Sequence, residues 1–451
     1  MNDGSPRGGL SASEIVEWST RYTLFDWAVQ SKISPIPVAS AKGVYFYDPD
    51  GKRYLDFNSQ LMSVNIGHGD PRVVEAVARQ IETLSYVNSA VMTTEVRALL
   101  GHKLAQLFPG DIEKSFFTLG GAEANENAIR IAKAVTGRHK ILARYRSYHG
   151  ATAGAITLTG DPRRWANEPG IPGVVHVLDF YHGTTRPMDS AAEALRALEE
   201  TIELEGPKTI AAFIIEPVTG TNGILVPPDG YLEGVRELCD RYGILMIADE
   251  VMAGFGRCGE WFAVDHWGVR PDLITFAKGV NSGYVPLGGV VLSAEVAATF
   301  EDRAYPGGLT YSGHPLACAS AVASITIMRE EGIVEHARDL GTDVIGPALA
   351  KLAENHPSVG EVRGLGVFWA LELVRDRETR EPLVPFNAGG AAAAPMTEFM
   401  AACKERGLWP FVHFNRTHVV PPCTTTAEEV AEGIGILDEA LTVADRYYTG
   451  S

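Results

Sequence analysis

Cysteine is scarce in this chain: Cys239, Cys258, Cys318, Cys403 and Cys423 are the only five in 451 residues, and they form neither a CxxC pair nor a zinc-type spacing. An odd, scattered set of this kind argues against a disulfide framework or thiolate centre, and reads as reduced core or surface thiols. The twelve histidines do not fill the gap, because they form no HExxH pattern and no Cys/His grouping. No metal site is expected. Basic charge is also short: 39 Lys and Arg against 56 Asp and Glu leave a net charge of −17. A nucleic-acid partner, which needs a basic face to neutralise phosphates, is not expected. No apolar run reaches the roughly 18 residues of a membrane helix. The start, MNDGSPRGGLSASEIVEW, has no basic stretch followed by an apolar one, so a cytoplasmic location without a membrane is expected.

What is present is a globular composition, 45% hydrophobic and 21% charged, in a chain too long for one simple core. Ser11 to Gln30 has a helical pattern, and GVYFYDPDGKRYLDF alternates around Asp50 and Gly51, which predicts a hairpin in a small antiparallel unit. From about Asp70 helical and extended patterns alternate: PRVVEAVARQIETL, KSFFTL, AEANENAIRIAKAVTG closed by Gly137, then HKILARY. The beat continues through TIAAFIIEPV, YLEGVRELCDRYG, ILMIADEV and DLITFAKG. Short apolar strands between helices predict an α/β fold whose mostly parallel sheet carries helices on both faces. One long helix is expected over HPLACASAVASITIMREEGIVEHARDLG, then a strand pair in GEVRGLGVFWALELV, a loose Ala/Gly-rich loop at 388–394 and a closing helix from Thr426. The divisions are 1–69 and 329–451 for a smaller α+β domain and 70–328 for the large domain.

Ligands of open α/β sheets bind beyond the carboxyl ends of the strands. The polar groups ending apolar runs are Glu216 after AAFII, Asp249 after ILMIA, Lys278 after LITFA, and Gly120 with Gly121 after SFFT. A lone strand-end lysine is ordinarily a surface residue. The glycines open a helix whose bare amides and dipole can receive an anion, although glycine also serves ordinary turns. Asp249 or Glu250 must enter the interior or a cleft after so apolar a strand, unless a cap or a bridge to Arg257 accounts for them. Together, a phosphate cradle, a carboxylate able to keep a ring nitrogen protonated and a desolvated lysine are the three parts that pyridoxal phosphate requires.

The segments GGAEANENAIRIAK, RYRSYHGATAGA, IIEPVTGTNGILVPPDGYLEGVRELCDRYGILMIADEVMAGFGR, PDLITFAKGVNSGYVPLGGVV and GLTYSGHPLACASA occur in this order. The chain thereby resembles the class III, or ω-type, aminotransferases of fold type I over nearly its whole length. The resemblance implies that Lys278 is the Schiff-base lysine and proton shuttle and that Asp249 partners the pyridine nitrogen. It further implies Val251 and Tyr148 on the two ring faces, with His149 beside them. Gly120, Gly121 and Ala122 then hold the phosphate and Glu216 lies near the cofactor. Thr310 reaches the phosphate from a neighbouring subunit, which implies a homodimer, and dimers could pair into tetramers.

The chain also departs from the family. Gly120-Gly121-Ala122 stands where many members carry a serine hydroxyl for the phosphate, and His418 stands where ornithine- and GABA-type members carry a carboxylate-gripping arginine. Arg416, two residues earlier and on the same face of an extended segment, is a candidate clamp or a surface arginine. Met62 replaces a pocket tryptophan and would give a softer wall; Phe25 and Trp27 are candidate aromatic walls or core residues. The resemblance implies transfer of an amino group from an ω-amino acid or amine donor to a keto acid, pyruvate first, in two half-reactions. Aminomutase, racemase and decarboxylating chemistry share the same constellation and stay open, as does a non-catalytic binding relative.

Overall fold

The computed structural model describes residues 9–181 and 191–450. Strands β1 (Ser40–Lys42), β2 (Tyr45–Tyr47) and β3 (Arg53–Leu55) form an antiparallel sheet. Gly51, at φ 84°, closes the expected hairpin by adopting a conformation that costs glycine little. The helix before it is shorter than expected. It runs over Ala12–Tyr22 and stops at Thr23, whose backbone is extended and whose hydroxyl donates to Ser19 O.

The large sheet holds β4 (Ile112–Thr118), β5 (Lys140–Arg144), β6 (Val174–Val177), β7 (Ile210–Ile215), β8 (Leu245–Asp249), β9 (Leu273–Phe276) and β10 (Gly288–Ser293). Their order is β4-β10-β9-β8-β7-β5-β6. Pairings from β6 through β9 are parallel, and β10 is antiparallel to both neighbours. Every residue of β7, β9 and β10 is buried, as expected of strands covered on both faces. This order brings the carboxyl ends of β4, β5, β7, β8 and β9 to one edge of the sheet.

The long helix expected after residue 313 is two helices, Pro315–Glu330 and Ile333–Leu340. Gly332, at φ 61°, separates them, because a left-handed residue cannot continue a right-handed helix. Strands β11 (Val359–Leu365), β12 (Phe368–Asp376), β13 (Glu381–Pro382), β14 (Phe411–His413) and β15 (Arg416–Val419) build the last sheet. The Ala/Gly-rich stretch is a 3₁₀ turn, Gly390–Ala393, leading into the helix Ala394–Glu405. The closing helix is Ala427–Asp445, capped by Thr426.

The two ends of the chain meet. Leu55 N donates to Gly407 O at 2.8 Å, Trp409 N to Leu55 O at 2.9 Å and Val420 N to Phe57 O at 2.9 Å. Among the described residues no helix is long and apolar enough to cross a membrane, and no group of His, Cys, Asp and Glu could hold a metal ion. All five cysteines are buried and free.

Candidate active site

Lys278 follows the four buried residues of β9 and buried Ala277, and its backbone is left-handed at φ 45°. A bulky residue held there is strained and needs its surroundings to keep it. The side chain is half-buried, and Nζ donates to Leu61 O at 3.0 Å. Burial pushes the pKa of this amine down to about 8, against the pull of Asp249 and Glu216.

Asp249 ends β8 and is 3% exposed. Its Oδ2 accepts from Asn125 Nδ2 at 2.8 Å and from His149 Nδ1 at 2.7 Å, and its Oδ1 accepts from Val251 N at 3.1 Å. Asn125, on the helix Gly121–Thr136, also donates to His149 O at 2.7 Å. Glu250 turns the other way. Its carboxyl oxygens accept from the amides of Ala263 (3.0 Å) and Val264 (2.9 Å), and burial pushes its pKa up to about 8. Arg257 does not bridge to Asp249; it donates to Asn65 Oδ1 and Pro421 O.

The helix Gly121–Thr136 starts at extended Gly120 with no side-chain cap, so its first amides are aimed outward. A Cβ on Gly120 would meet nothing within 4 Å, whereas one on Gly121 would lie 2.7 Å from Val251 Cγ1. Gly150 packs as closely on Ala122, where a Cβ would fall 2.5 Å away. An uncapped helix start with open space before it, a buried carboxylate and a desolvated amine at neighbouring strand ends fit pyridoxal phosphate.

Tyr148 N donates to Glu216 Oε1 at 3.0 Å and Gly220 N donates to Glu216 Oε2 at 2.7 Å. Burial raises the pKa of Glu216. Its carboxylate thus pairs with backbone amides, and Arg416 pairs elsewhere: Arg416 Nε lies 3.3 Å from Glu372 Oε2, which Arg363 and Tyr181 also share at 2.7 Å each. His418 is fully buried with both ring nitrogens unpartnered, beside Phe411 at 5.1 Å. Met62 is buried in an apolar cluster with Val218, Ile224 and Ala253. Phe25 is half-buried. Trp27 is exposed and meets Tyr148 edge-on at 6.4 Å. Thr310 is exposed, with its carbonyl accepting from Tyr86 Oη at 2.9 Å.

Two participants escaped the sequence reading. Asn125 was hidden in a polar helix pattern, with only its place one turn inside the glycine start as a signal. Arg163 lies in GDPRRW, a stretch that carries no periodicity. Its guanidinium sits 3.8 Å from the Tyr148 ring centre and 5.6 Å from that of Trp27, and Asp161 holds it as an ion pair.

The profile of the class III aminotransferases matches residues 27–441. The chain is 38% identical over 367 residues to a putrescine–pyruvate aminotransferase of Pseudomonas aeruginosa, covering 78% of this chain and 80% of the relative. It is 34% identical to a 4-aminobutyrate aminotransferase of Escherichia coli over 91% of this chain and 94% of that one. Among solved structures, a taurine:2-oxoglutarate aminotransferase of Bifidobacterium kashiwanohense, in complex with pyridoxal phosphate and glutamate, superposes with a TM-score of 0.93 at 40% identity, over 98% of this chain and 99% of that one. An (S)-enantioselective ω-transaminase of Thermomicrobium roseum reaches 0.90 at 38% identity, over 97% and 100%. Fold, site chemistry and sequence converge: the chain belongs to the class III aminotransferases and is a pyridoxal-phosphate-dependent transaminase.

Proposed function

We propose that the enzyme moves an amino group from an ω-amino acid, or an amine with an acidic far end, to a keto acid, with pyruvate as acceptor. The observation that carries the acidic end is Arg163, laid on Tyr148 and Trp27 at 3.8 and 5.6 Å. Asp161 takes the Nε and Nη2 side of the guanidinium, and the Nη1 side, held flat on the aromatic faces, is the edge offered to a carboxylate or sulfonate. Both arginines are ion-paired, Arg163 with Asp161 and Arg416 with Glu372; Arg416 is the weaker candidate because it lies farther from its aromatic neighbour, 5.9 Å from the Phe414 ring centre.

Bound at this site, pyridoxal phosphate supplies the electron sink that takes up the bonding pair left when the donor Cα loses its proton. Asp249 would keep the proton on the ring nitrogen, and Asn125 and His149 hold the carboxylate for that task. The Lys278 amine removes the proton at Cα and returns it at C4′. The amides of Gly121 and Ala122 would hold the phosphate, while Val251 and Tyr148 would flank the ring. Thr310, exposed beside Tyr86 and the adjacent exposed Tyr311, supports a homodimer in which it reaches the site of a second copy. The test is a donor panel, ω-amino acids and aminosulfonates against simple alkylamines, with pyruvate or 2-oxoglutarate, reading alanine or glutamate formed. Alkylamines matching the acids in kcat/KM would overturn the acidic-end reading. Preference for 2-oxoglutarate would replace the acceptor.

A further inference from the structure

Ser59, Gln60, Leu61 and Met62 all have left-handed backbones, with φ of 47°, 48°, 61° and 60°. None is glycine, and a run of four such L-residues is far outside what the chain adopts unaided. Backbone hydrogen bonds make it a turn of left-handed helix: Met62 N donates to Asn58 O and Ser63 N to Ser59 O, both at 2.8 Å. Strain of this kind persists only where surrounding groups impose it, and it gathers at functional sites.

The groups that impose it are identifiable. Asp56, fully buried, accepts from Asn58 N and Gln60 N through Oδ1 at 3.3 Å each, and from Gln60 Nε2 through Oδ2 at 3.1 Å. His68 Nε2 pins the same Oδ2 at 3.0 Å. Asn58 Oδ1 accepts from Leu61 N at 2.8 Å, and Ser59 Oγ donates to Val420 O at 2.6 Å. The segment after the turn is moored to the loop after β9, because Ile66 N donates to Ser282 Oγ at 3.0 Å. What the turn delivers is the carbonyl of Leu61, which accepts from Lys278 Nζ at 3.0 Å.

We propose that Asp56 is a positioning residue for the reaction: it ties the left-handed turn Ser59–Met62, whose Leu61 carbonyl holds the Lys278 amine whenever that amine is not bonded to the cofactor. A free lysine swings on four rotatable bonds. Between the two half-reactions it must stay within reach of the carbon whose proton it moves, and a fixed neutral acceptor keeps it there without forming an ion pair that would hold it protonated. The charged groups facing the amine are Asp249, Glu216, Arg163 and Arg257. The first two are occupied by His149, Asn125 and backbone amides.

The inference rests on Lys278 being the reacting amine, so its test reads the amine directly and without turnover. The holoenzyme is converted to its amine form with excess donor, and Lys278 is labelled with trace acetic anhydride across pH, against exposed lysines, by peptide mass spectrometry. Asp56→Ala is expected to lower the labelling midpoint of Lys278 by about 0.5, because the carbonyl favours the ammonium form and burial does not. It is also expected to lower kcat about tenfold with the donor KM within about twofold. Asp56→Asn, which keeps an acceptor for both amides, restores most of each effect. Asn58→Ala loosens the turn from a separate anchor and decides the matter if Asp56→Ala does not fold. An unchanged Lys278 midpoint in the folded variants, with or without a loss of rate, overturns the proposal. Retention of activity in Lys278→Ala, by contrast, would overturn the reading of Lys278 as the reacting amine, and this inference with it.

Discussion

His149 Nδ1 and Asp249 Oδ2 lie 2.7 Å apart, both buried, and Asn125 Nδ2 closes on the same oxygen at 2.8 Å. A carboxylate held by two side chains and by the Val251 amide has one geometry open to it, which is what a partner for a ring nitrogen needs.

Asn125→Ala removes one of these donors and frees the His149 carbonyl as well. A lost hydrogen bond to a charged group is worth about 1.5–3 kcal/mol, so kcat is expected to fall roughly ten- to hundredfold. Cofactor release, followed by absorbance after dilution, should quicken in parallel. An unaltered release rate would remove Asn125 from the cofactor's support.

Gly121→Ala tests the cradle. The new methyl would stand 2.7 Å from Val251 Cγ1, and overpacking of this kind costs about 1–3 kcal/mol. Because Val251 is proposed to flank the cofactor's ring, the cost should appear as roughly tenfold weaker cofactor retention. Gly120→Ala, where a Cβ meets nothing within 4 Å, is the matched control and should retain the cofactor better.

The strands, their order of appearance and the ends that carry Asp249, Glu216 and Lys278 were legible because buried parallel strands leave continuous apolar runs and their polar terminators stand out. The break at Gly332 was less so, since the helical pattern runs on across it and only the backbone angle shows the stop. Arg163 and the left-handed turn at Ser59–Met62 were not legible at all, and Asn125 only by its place one turn inside the glycine start. Each depends on a contact between distant stretches, Arg163 with Trp27, Asn125 with Asp249, Leu61 with Lys278, and no local periodicity encodes such a meeting.

Lys278→Ala should abolish transamination and remove the visible absorbance of the lysine-bound cofactor. Both are read in one spectrophotometric titration with donor and acceptor. Retention of either would remove Lys278 from the reaction.

Arg163 and Arg416 separate cleanly by kinetics. Arg163→Ala should raise KM for acidic donors about tenfold or more, from loss of a charge-assisted hydrogen bond, and leave simple amines within about twofold. Arg416→Ala should lower thermal stability, since it leaves Glu372 with Arg363 and Tyr181 alone. A selective KM increase in Arg416→Ala would return the clamp to that residue.

The Glu372 cluster also predicts a pH dependence. Burial alone would raise this carboxyl, but Arg416 and Arg363 outweigh it and, with the Tyr181 hydroxyl, hold the pKa at about 2 against an ordinary value of 4.5. A depressed carboxylate contributes its stability in full above the unfolded value and loses it as pH falls toward the folded one. The contribution is about 3 kcal/mol, at 1.36 kcal/mol for each tenfold change in proton affinity. Glu372→Gln should therefore melt well below the parent at pH 7, with the gap narrowing from about pH 5 down to pH 2 as the parent's carboxylate takes up its proton. Scanning calorimetry on both proteins across that range measures the gap. A difference in Tm that stays constant with pH would mean that packing, and not the charge of Glu372, holds the arginines together.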